Sequence, residues 1–406
     1  MTTSTTEAKS REPAQSGATA LTIAVIGLFF LWGGITSLND ILIPKLKSLF
    51  VLNYAQAMLV QFAFFTAYAL VSVPAGTWIA RLGYGRGIVL GLAIMAAGCL
   101  LFLPATAFAA FGAFLFALFV LAAGITVLQV AANPLIARLG DASTSHSRLT
   151  FAQAFNSLGT TVFPLLGAQV MLRGETAEVH TLELSYSGIA AALVLLCVGF
   201  WLVRERLGRG STDVEFAGSA SLMRQPRLAW GVVSIFLYVG AEVTIGSLLI
   251  NYLTQLPGLS PDMRETARFM AISVYWGGAM VGRFLGAGLL RLFRPGLVLA
   301  AAAIGAAVLA TIAACGDGLV SAVALLAVGL MNSIMFPTIF SLALEGLGER
   351  TAQGSGLLCM AIVGGAIVPV ATGLVADATG LNWSLLLPAA CYLGIAAYGR
   401  FTARRA

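Results

Sequence analysis

The chain has 406 residues, of which 59% are hydrophobic and only 10% are Asp, Glu, Lys or Arg, with a formal net charge of +6. A soluble domain is about one quarter charged, so this composition, with a mean hydropathy of +0.93, excludes a soluble enzyme or binding module. The apolar stretches are long and do not alternate, which excludes a β-barrel and leaves a polytopic helical membrane protein whose backbone groups pair within their own helices.

Residues 1–19 are polar and rich in Ser and Thr. They lack the basic start and small-residue cleavage site of a secretory signal, so a disordered cytoplasmic tail is expected. Twelve apolar segments follow, each near the ~20 residues a span requires. They centre roughly on residues 32, 67, 95, 123, 160, 193, 241, 278, 304, 331, 363 and 391. The longest polar stretch between them, "RERLGRGSTDVEFAGSASLMRQPR", divides six from six. The expected organisation is a first six-helix half over 20–204, a cytoplasmic linker over 205–227, a second half over 228–402 and a short tail over 403–406.

Lys and Arg placement orients the chain. With both termini inside, the outer loops hold Lys45, Lys47, Arg173, Arg264 and Arg268, Arg283 sits within a span, and the remaining 17 of the 23 basic residues lie inside. The basic charge is thus a topology signal and not a nucleic-acid footprint. The halves also resemble each other. "DILIPKL" at 40–46 matches "SLLINYL" at 247–253, Gly76 and Arg81 match Gly286 and Arg291, and Gly159 and Pro164 match Gly364 and Pro369. Matches in order, at nearly one offset, indicate a duplicated six-helix unit, an architecture that binds substrate near the midplane between repeats.

The polar residues inside the spans are the candidate site. In span 1, Trp32, Thr36 and Asn39/Asp40 fall on one helical face. A carboxylate there faces a partner or a water-filled cavity, and the tryptophan suits stacking on a sugar ring. The plainer alternative is an acid at the outer boundary, neutralised by Lys45 or Lys47. Gln129 and Asn133 in span 4, and Gln153 and Asn156 in span 5, offer amide donors and acceptors suited to hydroxyls, or else hydrogen bonds between helices. Glu242 in span 7 lies near mid-membrane. It can carry a proton or hold a sodium ion, or it can be the buried partner of Arg283. Arg283 in span 8 and Glu345 at the end of span 10 are expected to form a gating salt bridge. Tyr275 and Trp276 can wall the cavity or pack against neighbours, and Asn332 is equally open.

The five cysteines (Cys99, Cys197, Cys315, Cys359 and Cys391) have no metal or redox spacing and read as small core residues. His146 and His180 lie in loops without metal-ligand company. No Walker A pattern, zinc cluster or nucleophile elbow is present, so neither an ATP-driven pump nor an enzyme is expected, and no cofactor.

These residues resemble the major facilitator superfamily, and within it the fucose/galactose/glucose proton symporter family. The resemblance rests on "FFLWGGITSLNDILIPKLK", "LVQFAFFTAY", "PAGTWIARLGYGRGI", "LQVAANPLIARLG", "SRLTFAQAFNSLGTT", "YVGAEVTIGSLLINYL" and "EGLGERTAQGSGLLCMAIVGGAIVP", and it covers nearly the whole chain after residue 20. It implies an all-α protein of twelve transmembrane helices, alternating access, a bacterial-type inner membrane, a monomer, and hexose import driven by an ion gradient. It further implies that Asp40 couples protons and binds sugar, that Trp32 stacks on the sugar, and that Gln153 and Asn156 are sugar ligands. The fucose branch carries a glutamate where this chain has Gln129, so the likeness is to the glucose/galactose branch, with Glu242 a second acid from the other half. The coupling ion is then H+, with Na+ as the alternative. A drug:proton antiporter of the same superfamily is the rival transporter, and a non-transporting sugar sensor the rival of another class.

Overall fold

The computed structural model describes residues 12–49, 54–108, 110–171, 179–207, 218–255 and 261–404. Twelve long helices fill them. They are α1 (Glu12–Leu49), α2 (Tyr54–Leu82), α3 (Tyr84–Ala107), α4 (Phe111–Arg138), α5 (Ser145–Met171), α6 (Val179–Val203), α7 (Pro226–Gln255), α8 (Pro261–Leu292) and α9 (Pro295–Cys315). Three more are each in two pieces: α10 (Gly318–Asn332 and Met335–Leu344), α11 (Thr351–Met360 and Gly364–Thr379) and α12 (Leu381–Ser384 and Leu386–Ala403). Each of the twelve expected spans lies in one of these helices, and there is no strand among the described residues. The tail expected over 1–19 lies mostly outside the described residues, as does much of the linker expected over 205–227. With an even number of crossings, the start of α1 and the end of α12 lie at one face of the bundle, here called the terminal face. The short turns at Gly83, Gly140, Phe293–Arg294 and Gly346–Gly348 lie there too.

Ten of the helices carry a described stretch long and apolar enough to cross a membrane, and α5 and α8 do not. The reason is visible in their residues: α5 carries His146, Arg148, Gln153, Asn156 and Ser157, and α8 carries Arg283 and Arg291. These two helices face each other across the boundary between the halves. Ser147 Oγ donates to Ala287 O at 2.6 Å, and Phe151 and Phe155 meet Phe284 edge-on at 5.9 and 5.8 Å. The other long seam joins α2 to α11, where Ser355 of α11 also reaches Val130 O of α4 at 2.9 Å.

Small residues set the close approaches, as expected where lipid supplies no hydrophobic force between helices. A Cβ at Gly159 would lie 2.0 Å from Phe30 O, holding α5 against α1. A Cβ at Gly364 would lie 2.1 Å from Phe236 O, holding α11 against α7. Gly159 and Gly364 are the residues matched between the halves in the sequence, so the matched glycines make matching contacts. Gly76 does the same at the α2–α11 seam, where a Cβ would lie 2.7 Å from Ala352 O.

The interruption of α10 at Ser333 and Ile334 has a local cause: Pro337, four residues after Ser333, has no N–H to give the Ser333 carbonyl, and its ring crowds that oxygen. α8 presses on the break through Gly282 and Gly286, whose Cβ positions would lie 2.5 Å from Ser333 Oγ and 2.0 Å from Ile334 Cγ2. The break also frees Ser333 O from the helix ladder, and Arg283 Nε donates to it at 3.2 Å.

Candidate functional site

In the first half, Gln129 and Asn133 lie one turn apart on α4 and both are buried. Gln129 Nε2 donates to Tyr68 Oη of α2 at 2.7 Å. Asn133 Oδ1 accepts from Gln153 Nε2 of α5 at 3.2 Å, while its Nδ2 is buried without a partner. Unspent buried donors are uncommon and call for a reason. Asn156 Nδ2 donates to Phe29 O of α1 at 3.0 Å. Trp32 is buried, with its ring 4.2 Å from that of Phe29. The amides expected in spans 4 and 5 therefore come together, although Asn156 and Trp32 are engaged by α1 in this conformation. The side chains of Asn39 and Asp40 lie outside the described residues.

In the second half, Glu242 on α7 accepts from Tyr238 Oη at 2.7 Å, the i, i+4 partner on its own helix. Arg283 Nη2 lies 3.9 Å from Glu242 Oε1, and the two side chains are only 12% and 13% exposed. Arg283 also crosses to the first half. Its Nη1 donates to Ser157 Oγ and lies 3.4 Å from Gln153 O. Around Glu242, Tyr275 Oη donates to Glu242 O at 3.3 Å and accepts from Asn332 Nδ2 at 3.0 Å. Trp276 is 42% exposed, its ring edge-on to Tyr275 at 5.2 Å. A polar chain therefore runs from Asn133 through Gln153, Arg283 and Glu242 to Tyr238, and on through Tyr275 to Asn332. It crosses both halves inside an apolar bundle, where each such group costs free energy unless paired.

Two expectations are corrected. Arg283 and Glu345 do not pair with each other. Glu345 caps the end of α10, twelve residues beyond Ser333, or about 18 Å at 1.5 Å per residue. Arg283 reaches only to the level of Ser333. Glu345 instead pairs with Arg227 at the start of α7 and with His146 Nε2 at 2.9 Å. His146, expected in a loop, is buried in the first turn of α5, and its Nδ1 lies 2.6 Å from Ser341 Oγ. This cluster joins α5 of the first half to α7 and α10 of the second, at the terminal face. Sequence reading also missed Tyr68 and Tyr238, while Tyr275, expected to wall the cavity or to pack, hydrogen-bonds Glu242 O and Asn332. For Tyr238 the signal was present: it sits four residues before Glu242, on the same helical face.

The sequence matches the model of the Major Facilitator Superfamily over residues 21–362. The chain belongs to the major facilitator superfamily. As a member it is a multi-pass membrane transporter and not an enzyme. It is 47% identical to the glucose/galactose transporter of Brucella abortus, over 97% of this chain and 96% of that one. It is 36% identical to the L-fucose-proton symporter of Escherichia coli, over 98% and 96% of the two chains. Among solved structures it superposes on the crystal structure of the transporter FucP in its outward conformation, with a TM-score of 0.85 at 33% identity, covering 94% of this chain and 98% of that one. Within the superfamily architecture, the polar chain around Arg283 lies where two six-helix units meet.

Proposed function

We propose that the protein imports a hexose, glucose or galactose in class, together with a proton, by rocking its two halves about the polar chain described above. The observation that carries this reading is Arg283, which holds Glu242 of its own half and Ser157 and Gln153 of the other at once. The relatives supply the substrate class: one is a glucose/galactose transporter and another an L-fucose-proton symporter. The protein then resides in a bacterial inner membrane as a monomer with both termini cytoplasmic, in keeping with the bias of basic residues. The terminal face becomes the cytoplasmic gate, held shut by His146, Glu345 and Arg227 and by the α5–α8 seam.

In this mechanism sugar enters from outside and meets the amides of Asn133 and Gln153, with Gln129 and Asn156 beside them. The unspent Nδ2 of Asn133 is a donor ready for a hydroxyl. Trp32, Trp276 and Asn332 border the path, and Asn39 and Asp40 lie above them on α1. A proton taken up at Asp40 or Glu242 neutralises a carboxylate. Neutral Glu242 releases Arg283 from its ion pair, and the contact between halves loosens. A charged, unpaired carboxylate resists closure over the site because desolvating it costs several kcal/mol, and that resistance suppresses ion leak without sugar.

The test is radiolabelled hexose uptake into proteoliposomes under an imposed proton or sodium gradient, for the parent chain, Asp40→Asn and Glu242→Gln. Uphill uptake driven by protons and lost in one variant while sugar exchange survives assigns coupling to that acid. Uphill uptake driven by sodium alone moves the coupling ion. Absence of hexose uptake under either gradient sinks the sugar assignment.

A further inference from the structure

The second half carries a groove of about 870 Å³ between α8, α9 and the break in α10. Its volume falls within the roughly 300–1,000 Å³ of pockets that take drug-sized ligands. Small residues line it, Gly282 and Gly286 on α8, where they let α10 approach, and Ala301 and Ala302 on α9. Its walls are hydrocarbon, and Leu285, Leu289 and Leu297 along them are exposed, so it opens sideways out of the bundle. Its floor is Ser333 and Ile334, the broken turn of α10.

One charged residue lines the groove. Arg294 stands at the α8–α9 turn, on the terminal face, exposed, its guanidinium with no ion-pair or hydrogen-bond partner among the described residues. The surrounding sequence is of one sign. From Phe284 to Gly316, and from Leu385 to the end of the chain, there is no Asp or Glu. Arg291, Arg400 and Arg404 share this end, because the start of α9 packs on the end of α12, where a Cβ at Gly296 would lie 2.7 Å from Gly399 O. An apolar channel with a cationic mouth at the membrane boundary matches an amphiphile with an anionic head.

We propose that this groove is a binding site for an anionic glycerophospholipid of the terminal-face leaflet, with its phosphate on Arg294 and one acyl chain lying along α8 and α9 against the α10 break. A free phosphate ion would leave the apolar channel without a purpose. A zwitterionic lipid would bring its own cation against Arg294 and the arginines that share its end. The occupant backs the broken turn whose Ser333 O holds Arg283, so it buttresses the contact between the halves.

The experiment uses the full chain in phosphatidylcholine nanodiscs doped with a photoactivatable phosphatidylglycerol or phosphatidylcholine carrying a diazirine in one acyl chain. Labelled peptides are mapped by mass spectrometry. The phosphatidylglycerol probe should label the peptides holding Leu285, Leu289 and Leu297 about fivefold more than the phosphatidylcholine probe, the preference one basic residue confers at a charged lipid surface. Arg294→Glu should abolish the preference, and Arg86→Glu, an exposed basic site on α3, should leave it. Leu297→Trp, which fills the groove from an exposed position, should displace both probes from it without lowering the melting temperature. Equal labelling by the two probes, labelling indifferent to Arg294→Glu, or cross-linking of the groove to a second copy of the chain would each overturn the proposal. None of these readouts requires transport, so the result stands apart from the hexose assignment.

Discussion

Glu345→Gln removes the charge at the centre of the terminal-face cluster while keeping its shape. Glu345 is 37% exposed on its side chain, His146 8% and Arg227 25%, so the cluster is neither fully wet nor buried. Hydrogen bonds to charged groups contribute roughly 1.5–3 kcal/mol, and exposed ion pairs about 0–1 kcal/mol. A value between these, near 1.4 kcal/mol, corresponds to about a tenfold shift in a two-state equilibrium. His146 belongs to one half and Glu345 and Arg227 to the other, so the contact exists only while the halves meet at this face. The loss therefore falls on the closed state alone. Ser147 reports on it, being 1% exposed between α5 and α8. In a background with the five native cysteines replaced, Ser147→Cys should react with a membrane-impermeant maleimide about tenfold faster when Glu345→Gln is added. Adding His146→Ala on top should gain less than the sum of the single effects, since the residues share one network. A rate within about twofold of the parent, less than 0.5 kcal/mol by the same arithmetic, would refute the role of this cluster as a gate.

Three further outcomes follow from the same geometry. Arg283→Met strands Glu242 in the bundle and should lower stability by about 3–5 kcal/mol, whereas Arg283→Met with Glu242→Gln should recover part of it; thermal melts in detergent decide, and a double variant as unstable as the single one would contradict the buried pair. Gly364→Ala sets a methyl against the Phe236 carbonyl, a backbone atom that cannot turn aside, so the monodisperse peak on size exclusion should be lost; a parental melting temperature would show that α7 and α11 yield more easily than their spacing indicates. Gln129→Glu replaces the amide that donates to Tyr68 Oη with a carboxylate that accepts from the Tyr68 O–H, so the pair survives with its direction reversed and the variant should fold normally, while its new carboxylate raises fucose uptake relative to galactose and changes the pH profile; competition assays in which neither moves would remove Gln129 from the specificity determinants.

Apolarity placed all twelve helices, because lipid forces one long hydrophobic run per crossing. Side-chain pairing was legible only where it is local or where polar types are scarce. Asn133 and Gln153 are two of the few amides in apolar runs, and they meet. Arg283 and Glu345 failed for a geometric reason: sequence gives depth along a helix only roughly, and 12 residues of helix separate Glu345 from the level Arg283 reaches. His146 was hidden by its neighbours. "STSHSR" reads as a polar loop, yet α5 begins at Ser145, and the helix carries His146 inward beneath Glu345. The contact depends on how two halves dock, which no local pattern encodes.

The paired contacts of Gly159 on Phe30 and of Gly364 on Phe236 have a consequence for inheritance after duplication. Most contacts between helices join two side chains, so a change in one can be repaired by a change in the other, and the copies can wander apart. A methyl-sized gap against a carbonyl oxygen offers no such remedy, because the opposing atom is the same in every amino acid. Either copy could exchange its amides, its acids and its arginine for others and so acquire a different cargo or coupling ion. Neither could admit a Cβ at this crossing without prising its first and fifth helices apart. The crossing is therefore the fixed point about which the two copies were free to specialise.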